Sequence, residues 1–274
     1  MKKKLIFDIG AHKGEDTRFY LRKGFRVVAV EAYPHHVKHI QDQLADDILR
    51  GDLVVEQVGI GETRGRGKFY VHETHTDWHR SEINAGRANK LTEISVLYTD
   101  APSLLAKYEV PYYLKVDIED SDWLVITAIS AQRKPTFVSF EVGQKAEDCL
   151  LHLHSMGYKS FQIVNQSKHH ETRPPFPPRE GNFVDMQFNN YMSGLFGFEL
   201  PNQWKNAEVI LDFIANVDWS NNQWYDVHAS VFEHKGGRIA WSLMREFQMR
   251  FRELFTTLPR PRPRASRGPH GRNS

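Results

Sequence analysis

Cysteine is almost missing: Cys149 stands alone among 274 residues. One thiol makes no intrachain disulfide and no cysteine-cluster metal site, and it points to a reducing compartment. Long apolar runs are missing too. None approaches the roughly 18 residues that span a bilayer, which excludes a transmembrane helix. The apolar run in the opening K-K-K-L-I-F-D stops at Asp8, too early for a secretory leader, so the expectation is a cytoplasmic protein. An excess of one charge is also missing, since thirty-six Lys and Arg face thirty-four Asp and Glu, a net +2. Five arginines and no acid lie in residues 260–274, which leaves thirty-one bases against thirty-four acids, or −3, on the rest. A dedicated nucleic-acid binder carries its positive charge on the folded domain, and this chain does not. The hydrophobic share of 40% and the charged share of 26% are those of a globular protein.

What is present is an alternation. Residues 5–7 read as a short buried strand ending at Asp8, 15–23 as a helix stopped by Gly24, and 26–31 as a β-branched strand. A helix begins near Pro34 and runs to Gly51 with Val37, Ile40, Leu44 and Ile48 on one face, and 53–58 is the third strand. Residues 59–67 are a glycine-rich turn, 68–72 a hairpin arm and 94–98 a strand. Thr99 or Asp100 caps a short helix with Pro102 near its start. Strands are expected at 112–117, 136–142 and 158–164, with helices at 122–131 and 146–156 between them. Strands separated by helices imply an α/β fold, a mostly parallel sheet with helices on both faces. After residue 166 the pattern changes. Residues 173–181 are a proline-rich loop, 207–217 a helix and 224–232 a late strand. Residues 240–255 form an amphipathic helix with Trp241, Met244, Phe247, Phe251, Leu254 and Phe255 on one side. It either packs on the body or joins two copies in a homodimer. Residues 259–274 read as a disordered basic tail.

The motif D-I-G-A-H-K-G, residues 8–14, falls between the first strand and the first helix. Gly10 and Gly14 allow a tight turn and a close backbone approach, and the N–H groups at a helix start suit a carboxylate or phosphate. Glu31 ends the second strand, where a carboxylate can accept from both hydroxyls of an adenosine ribose. A dinucleotide turn needs G-x-G-x-x-G, but His12 fills the place of the second glycine, and no Walker-type loop is present. The surviving pattern, acid-x-Gly-x-x-x-Gly, resembles the first motif of S-adenosylmethionine-dependent methyltransferases; a plain strand-to-helix turn is the other reading.

Further down, Y-L-K-V-D-I-E-D-S-D-W occupies residues 113–123. With residues 8–17 (D-I-G-A-H-K-G-E-D-T) and 27–34 (V-V-A-V-E-A-Y-P), it resembles the FkbM family of methyltransferases. Lys115, Asp117 and Glu119 match the family's L-K-[I/V]-D-[V/I]-E-G strand, while Asp120 replaces its usual glycine, Ser121 stands at the small position and Asp122 replaces a glutamate. V-S-F-E-V, residues 138–142, matches the next family strand and carries Glu141. The resemblance covers about residues 5–165. It implies a class I methyltransferase fold, Rossmann-like with a seven-stranded sheet, S-adenosylmethionine as cofactor, and O-methylation of a hydroxyl on a small molecule, sugar or natural product. The pattern along the chain divides it into a cofactor-binding core at 1–165, an extension at 166–258 that completes the domain, and the tail at 259–274.

In open parallel sheets the ligand lies beyond the carboxyl ends of the strands, where Asp8, Glu31, Asp117, Glu119 and Glu141 fall. Asp8, Gly10, His12 and Gly14 are assigned to the cofactor's methionine side and Glu31 to its ribose, with Thr17, Gly59 and Asp117 completing the cofactor-binding set. Asp117, Glu119, Lys115 and His228 are the candidate catalytic residues. Each has a structural alternative. Asp117 and Glu119 could cap a helix with Lys115 as counter-charge, Lys115 could be an ion-paired strand residue, and His228 could be core or bonded to Asp226. The histidines at 35, 36 and 39, and at 72, 75 and 79, lack metal-ligand spacing, so no metal is expected. The polar insert at 71–89 either contacts substrate or is a surface hairpin. Two rival functions remain, a nucleotide-dependent oxidoreductase, which His12 argues against, and a non-catalytic binding protein that keeps the fold.

Overall fold

L-I-F-D-I, Y-L-K-V and F-V-S-F-E are short, largely apolar segments that bury almost every residue. A strand buried at every position is covered on both faces. The computed structural model describes residues 2–72, 91–119, 121–218 and 223–234. In chain order the elements are β1 (Leu5–Ile9), α1 (Glu15–Arg22), β2 (Arg26–Glu31), α2 (Pro34–Gln43), α3 (Ala45–Leu49), β3 (Leu53–Gln57), β4 (Gly59–Ile60), β5 (Gly65–His72), β6 (Leu91–Thr99), α4 (Ala101–Lys107), β7 (Tyr113–Val116), α5 (Asp122–Ile126), β8 (Phe137–Glu141), α6 (Ala146–Ser155), β9 (Ser160–Asn165), α7 (Ala207–Asn216) and β10 (Tyr225–Ser230).

Seven strands form one sheet in the order β3-β2-β1-β7-β8-β10-β9. The first five pair in parallel, and β10 lies antiparallel between β8 and β9. This is a class I methyltransferase fold, Rossmann-like and mostly parallel. The chain leaves β1 toward β3 and returns on the other side at β7, so the order reverses between β1 and β7. The crevice at the carboxyl ends of the strands at such a reversal is the usual ligand position in open α/β sheets. A second sheet, β4-β6-β5, stands apart, with Tyr98 lying against Gly59, Gly61 and Gly67. No helix among the described residues is long and apolar enough to cross a membrane. The helix expected at 240–255 and the tail at 259–274 lie outside the described residues.

Three expectations shift. The helix expected from Pro34 to Gly51 breaks at Leu44, which leaves helical geometry (φ −123°, ψ 27°) and divides α2 from α3. Its side chain is buried beside Gly14, so packing against the first turn wins over helical periodicity. The helix expected over 122–131 stops at Ile126, and Thr127 Oγ1 donates back to the Trp123 carbonyl at 2.6 Å, a bond that competes with helix continuation. The choice between Thr99 and Asp100 resolves to Asp100, whose Oδ1 accepts from the Ser103 N–H at 2.9 Å.

Residues 174–200 carry almost no regular structure, yet they close one face of the sheet. Val184, Phe188, Met192, Leu195, Phe196 and Leu200 join Phe19 and Tyr20 of α1 over Ile6, Val27, Ala29, Tyr113 and Phe137. Phe196 is fully buried, stacked on Tyr113 at 4.8 Å and edge-on to Tyr20 and Phe25. Burying such a ring is worth about 1.5–3 kcal/mol, and each aromatic pair adds roughly 0.5–1.5 kcal/mol. A buried ion pair pins the same segment. Lys23 Nζ, just past α1, donates to Glu199 Oε1 at 3.0 Å and to the Asn182 carbonyl at 3.2 Å. Glu199 Oε1 also accepts from the N–H groups of Arg179 and Glu180.

Removing one partner of a buried pair leaves an uncompensated charge and costs about 3–5 kcal/mol. Lys23→Met should therefore lower the unfolding free energy by that amount in urea titrations. Lys23→Met combined with Glu199→Gln, which removes the charge but keeps an acceptor for Arg179 and Glu180, should recover most of the loss. A double variant as weak as the single one would show that the charge was not the cause.

Candidate functional site

Register determines which side chains meet at the crevice. Asp8 pairs with Lys115, Lys115 with Ser139, Ser139 with His228 and His228 with Gln162. Equivalent positions on paired strands share a face, so a row of five polar side chains crosses five strands. All five are buried. The next row lies two residues closer to the crevice and brings Asp226 opposite Glu141.

The turn after β1 is built for close approach. Gly10 has φ +83°, and a Cβ there would lie 1.8 Å from the Asp117 carbonyl oxygen, so glycine alone lets the two strand ends meet. Its N–H and that of Ala11 both donate to the Val30 carbonyl, at 3.0 and 3.1 Å. His12 adopts φ 49° and Gly14 φ 83°, and Gly14 stands at the N-cap of α1 with no side-chain cap. The His12 ring lies 3.1 Å from Glu15, edge-on to His36 and stacked on Tyr191.

Glu31 closes β2 beside this turn. Its Oε2 accepts from the His12 N–H at 2.9 Å and its Oε1 from the Tyr33 N–H at 2.8 Å. The Ala32 N–H also acts on this carboxylate, and His36 Nδ1 lies 3.9 Å from Oε1. Burial raises the Glu31 pKa to about 7, against the opposing effect of the Tyr33 and His12 contacts.

Lys115 is the buried cation of the site. Its Nζ lies 3.2 Å from Asp8, 3.4 Å from Asp117 and 3.5 Å from Asp16, and donates to the Gly10 carbonyl at 3.3 Å. Burial opposes its charge, but Asp8, Asp117 and Asp16 outweigh it and hold its pKa well above the usual lysine value. Thr17 Oγ1 donates to Asp8 Oδ2 at 2.6 Å, and Asp16 accepts from the Ser193 N–H at 2.9 Å.

Beyond Lys115 the edge is acidic. The Asp117 side chain is 48% exposed. Asp122 is buried and bridges two strand ends, with Oδ1 accepting from the Ile118 N–H at 2.8 Å and Oδ2 from the Glu141 N–H at 2.9 Å. Burial, then the Asp117 charge, lifts the Asp122 pKa to about 7. Burial and the surrounding acids push Glu141 and Asp226 well above the ordinary carboxylate range. Gln166 Nε2 donates to Asp226 Oδ2 at 2.7 Å.

The structure thus gathers Gly10, His12, Gly14, Glu31, Lys115 and Asp117 around one crevice, with Glu119 two residues past Asp117. Asp8 and Thr17 are wholly buried and bonded to each other, so they shape the turn and do not face the crevice. Gly59 faces the Tyr98 ring, where a Cβ would come within 2.7 Å. His228 lies one row deeper than the crevice, stacked at 6.4 Å on Tyr113, and burial takes its pKa down to about 3. Asp226 is bonded to Gln166 and is the β10 side chain at the crevice. The positive φ in the family strand falls on Glu119, at 43°, and Asp120 lies outside the described residues, as does 73–90. Sequence reasoning missed Asp16, Asp122, Gln166 and Asp226 as site residues. Asp16 and Asp122 stand in the quoted 8–17 and 113–123 motifs and Asp226 at the start of the late strand, whereas Gln166 carried no signal.

A model described as the methyltransferase FkbM domain matches residues 8–160, more than half of the chain. No curated protein sequence matches. Solved structures with a similar path include a precorrin-6Y C5,15-methyltransferase from Geobacter metallireducens, at 13% identity and TM-score 0.38, covering 84% of this chain and 80% of that one. An rRNA methylase from Streptococcus thermophilus aligns at 9% identity and TM-score 0.40, covering 85% and 89%. A SAM-dependent O-methyltransferase from Thermotoga maritima aligns at 9% identity and TM-score 0.39, covering 86% and 62%.

Glu31, Asp122, Glu141 and Asp226 all have folded pKa values raised above the unfolded range. The folded state then binds more protons than the unfolded chain, and the stability from these groups is lost as pH rises through their folded values. Between pH 7 and 8.5, His154, His228 and His234, whose pKa values are lowered, are largely neutral in both states. Urea unfolding should show stability falling by at least about 1 kcal/mol across that window. A flat or rising profile would contradict the burial of these acids.

Proposed function

The chain belongs to the FkbM methyltransferase family, and on that premise we propose that it methylates a hydroxyl on a small molecule, a sugar or a natural product. The methyl donor of such enzymes, S-adenosylmethionine, supplies a sulfonium-activated methyl group when bound. One observation carries the cofactor assignment: the Glu31 carboxylate, at the carboxyl end of β2, is held against the glycine turn by the His12 and Tyr33 N–H groups. Two vicinal ribose hydroxyls are the donors that such a carboxylate takes.

The remaining residues fit the same ligand. The backbone from Gly10 to Gly14 lies against Glu31, and the uncapped start of α1 offers its N–H groups to a carboxylate. Asp8 and Thr17 act through that backbone, and Gly59 follows Val58, whose N–H donates to the Glu31 carbonyl at 3.0 Å. Lys115 holds Asp117 at the mouth of the crevice. Asp117 is the exposed carboxylate of the group and the one we assign to the acceptor's hydroxyl proton, with Glu119 beside it. A positioned base contributes about 10²–10⁴-fold to such a transfer, and orientation can contribute up to about 7–11 kcal/mol. Lys115 acts as a positioning residue through Asp117 and the Gly10 carbonyl, and His228 lies one row deeper.

Two variants separate the roles. Glu31→Ala should weaken binding of S-adenosylhomocysteine by roughly 1.5–3 kcal/mol in calorimetric titration, the value of a lost charged acceptor. An unchanged affinity would refute the ribose assignment. Asp117→Asn should keep that affinity and lower turnover about 100-fold or more with a hydroxylated acceptor found by screening. Full turnover would remove Asp117 from the proton transfer.

A further inference from the structure

His12 breaks a backbone rule at the centre of the cradle. A residue other than glycine rarely takes a left-handed conformation, yet His12 has φ 49°. Such a conformation persists where the surroundings enforce it. The same residue shows what the enforcement serves, because the His12 N–H donates to Glu31 Oε2 at 2.9 Å. Three elements grip the imidazole. Glu15 of α1 lies 3.1 Å away, His36 of α2 meets it edge-on with centroids 4.4 Å apart, and Tyr191 stacks on it at 5.5 Å with the ring planes 16° apart. The first two contacts come from helices that adjoin the turn in sequence. Tyr191 comes from the irregular segment 174–200, far along the chain.

Tyr191 is 53% exposed, so burial in the core does not account for its place. Its backbone is nevertheless anchored at three consecutive residues. The Tyr191 N–H donates to Asn189 Oδ1 at 2.9 Å, and the Met192 N–H donates to the Asn189 carbonyl at 3.1 Å, with the Met192 side chain in the core. The Ser193 N–H donates to Asp16 at 2.9 Å, and its carbonyl accepts from Gln166 Nε2 at 3.3 Å. A half-exposed ring on so firm a mount presents one face to His12. We propose that Tyr191 is a positioning residue for the methyl donor: its ring holds His12 in the left-handed turn, and through the His12 N–H it sets the orientation of Glu31. The inference rests on the function proposed above. Stacking in an offset arrangement is a favourable geometry for such ring pairs. With the ring removed, one side of the imidazole opens to water, the backbone at residue 12 can relax toward negative φ, and Glu31 loses a fixed donor. A phenyl ring in the same place supplies the same face.

The test uses the full chain, S-adenosylhomocysteine as probe, and the variants Tyr191→Ala, Tyr191→Phe and His12→Gly. Tyr191→Ala should weaken binding in calorimetric titration by about three- to tenfold, and Tyr191→Phe should stay within about twofold of the unmodified chain. In a His12→Gly background, Tyr191→Ala should change affinity by less than about twofold, because the ring then has nothing to hold. A variant that only damages the fold would lose affinity in both backgrounds, and that result overturns the inference. Proton NMR without ligand gives a second readout. The His12 ring signals, identified by their absence in His12→Gly, should move in Tyr191→Ala and stay in place in Tyr191→Phe. Ring signals that ignore Tyr191→Ala, or an affinity that does, overturn the inference alone. Failure of S-adenosylhomocysteine to bind the unmodified chain overturns the cofactor reading and the inference together.

Discussion

A buried lysine ammonium cannot stand alone in a protein interior. Taking such a charge out of water costs many kcal/mol unless opposite charges and hydrogen bonds replace the lost hydration. Lys115 meets that demand with carboxylates from three separate segments, Asp8 on β1, Asp16 on α1 and Asp117 past β7, and with the Gly10 carbonyl. Each of those groups is thereby fixed relative to the others. The turn from Gly10 to Gly14 lies between two of them, so its shape follows from the ion cluster. Asp16 extends the same cluster to the Ser193 N–H, and through it the irregular segment 174–200 is held against α1. Lys115 thus ties together the strands, the first helix and the covering segment.

The same economy of cations gives the crevice its electrical character. Lys115 is the one buried base at the strand ends among the described residues, against Asp8, Asp16, Glu31, Asp122, Glu141 and Asp226. Once three acids are satisfied by Lys115, the rest depend on backbone N–H groups, on Gln166 or on their own protons. Glu31 and Asp122 take two N–H groups each, and those bonds tie β2 to the first turn and β7 to β8. An acid that fastens two loops is also an acid held in one orientation, ready for a donor-rich ligand.

Local chemistry was legible in the sequence, and chemistry made by long-range contact was not. Gly10 follows β1, Glu31 closes β2 and Gly14 opens α1, and that order along the chain is readable in the sequence. The reason Gly10 must be glycine, the Asp117 carbonyl over a hundred residues away, has no local signal. Thr17 and Asp8 looked like ligand contacts because they flank the turn, but their side chains bond to each other under α1. His228 drew attention as a histidine in an aromatic stretch. Register sends it one row into the core and leaves Asp226 at the edge. The segment 174–200 was unreadable for a different reason. Val184, Phe188, Met192 and Phe196 bury their side chains without helical or strand bonding, and a core built that way imposes no standard repeat on the sequence. Leu44 shows the converse, a helical pattern broken because packing on the first turn outweighs one more turn of helix.

The claim on which this account turns is that the bend after β1 and the carboxylate of Glu31 form one cradle for the nucleoside of the methyl donor. A crystal structure of the protein with S-adenosylhomocysteine tests it most directly. The account predicts the amino-acid end of the ligand along Gly10–Gly14 and both ribose hydroxyls on Glu31. A ligand bound elsewhere, or a ribose that leaves Glu31 untouched, would contradict it.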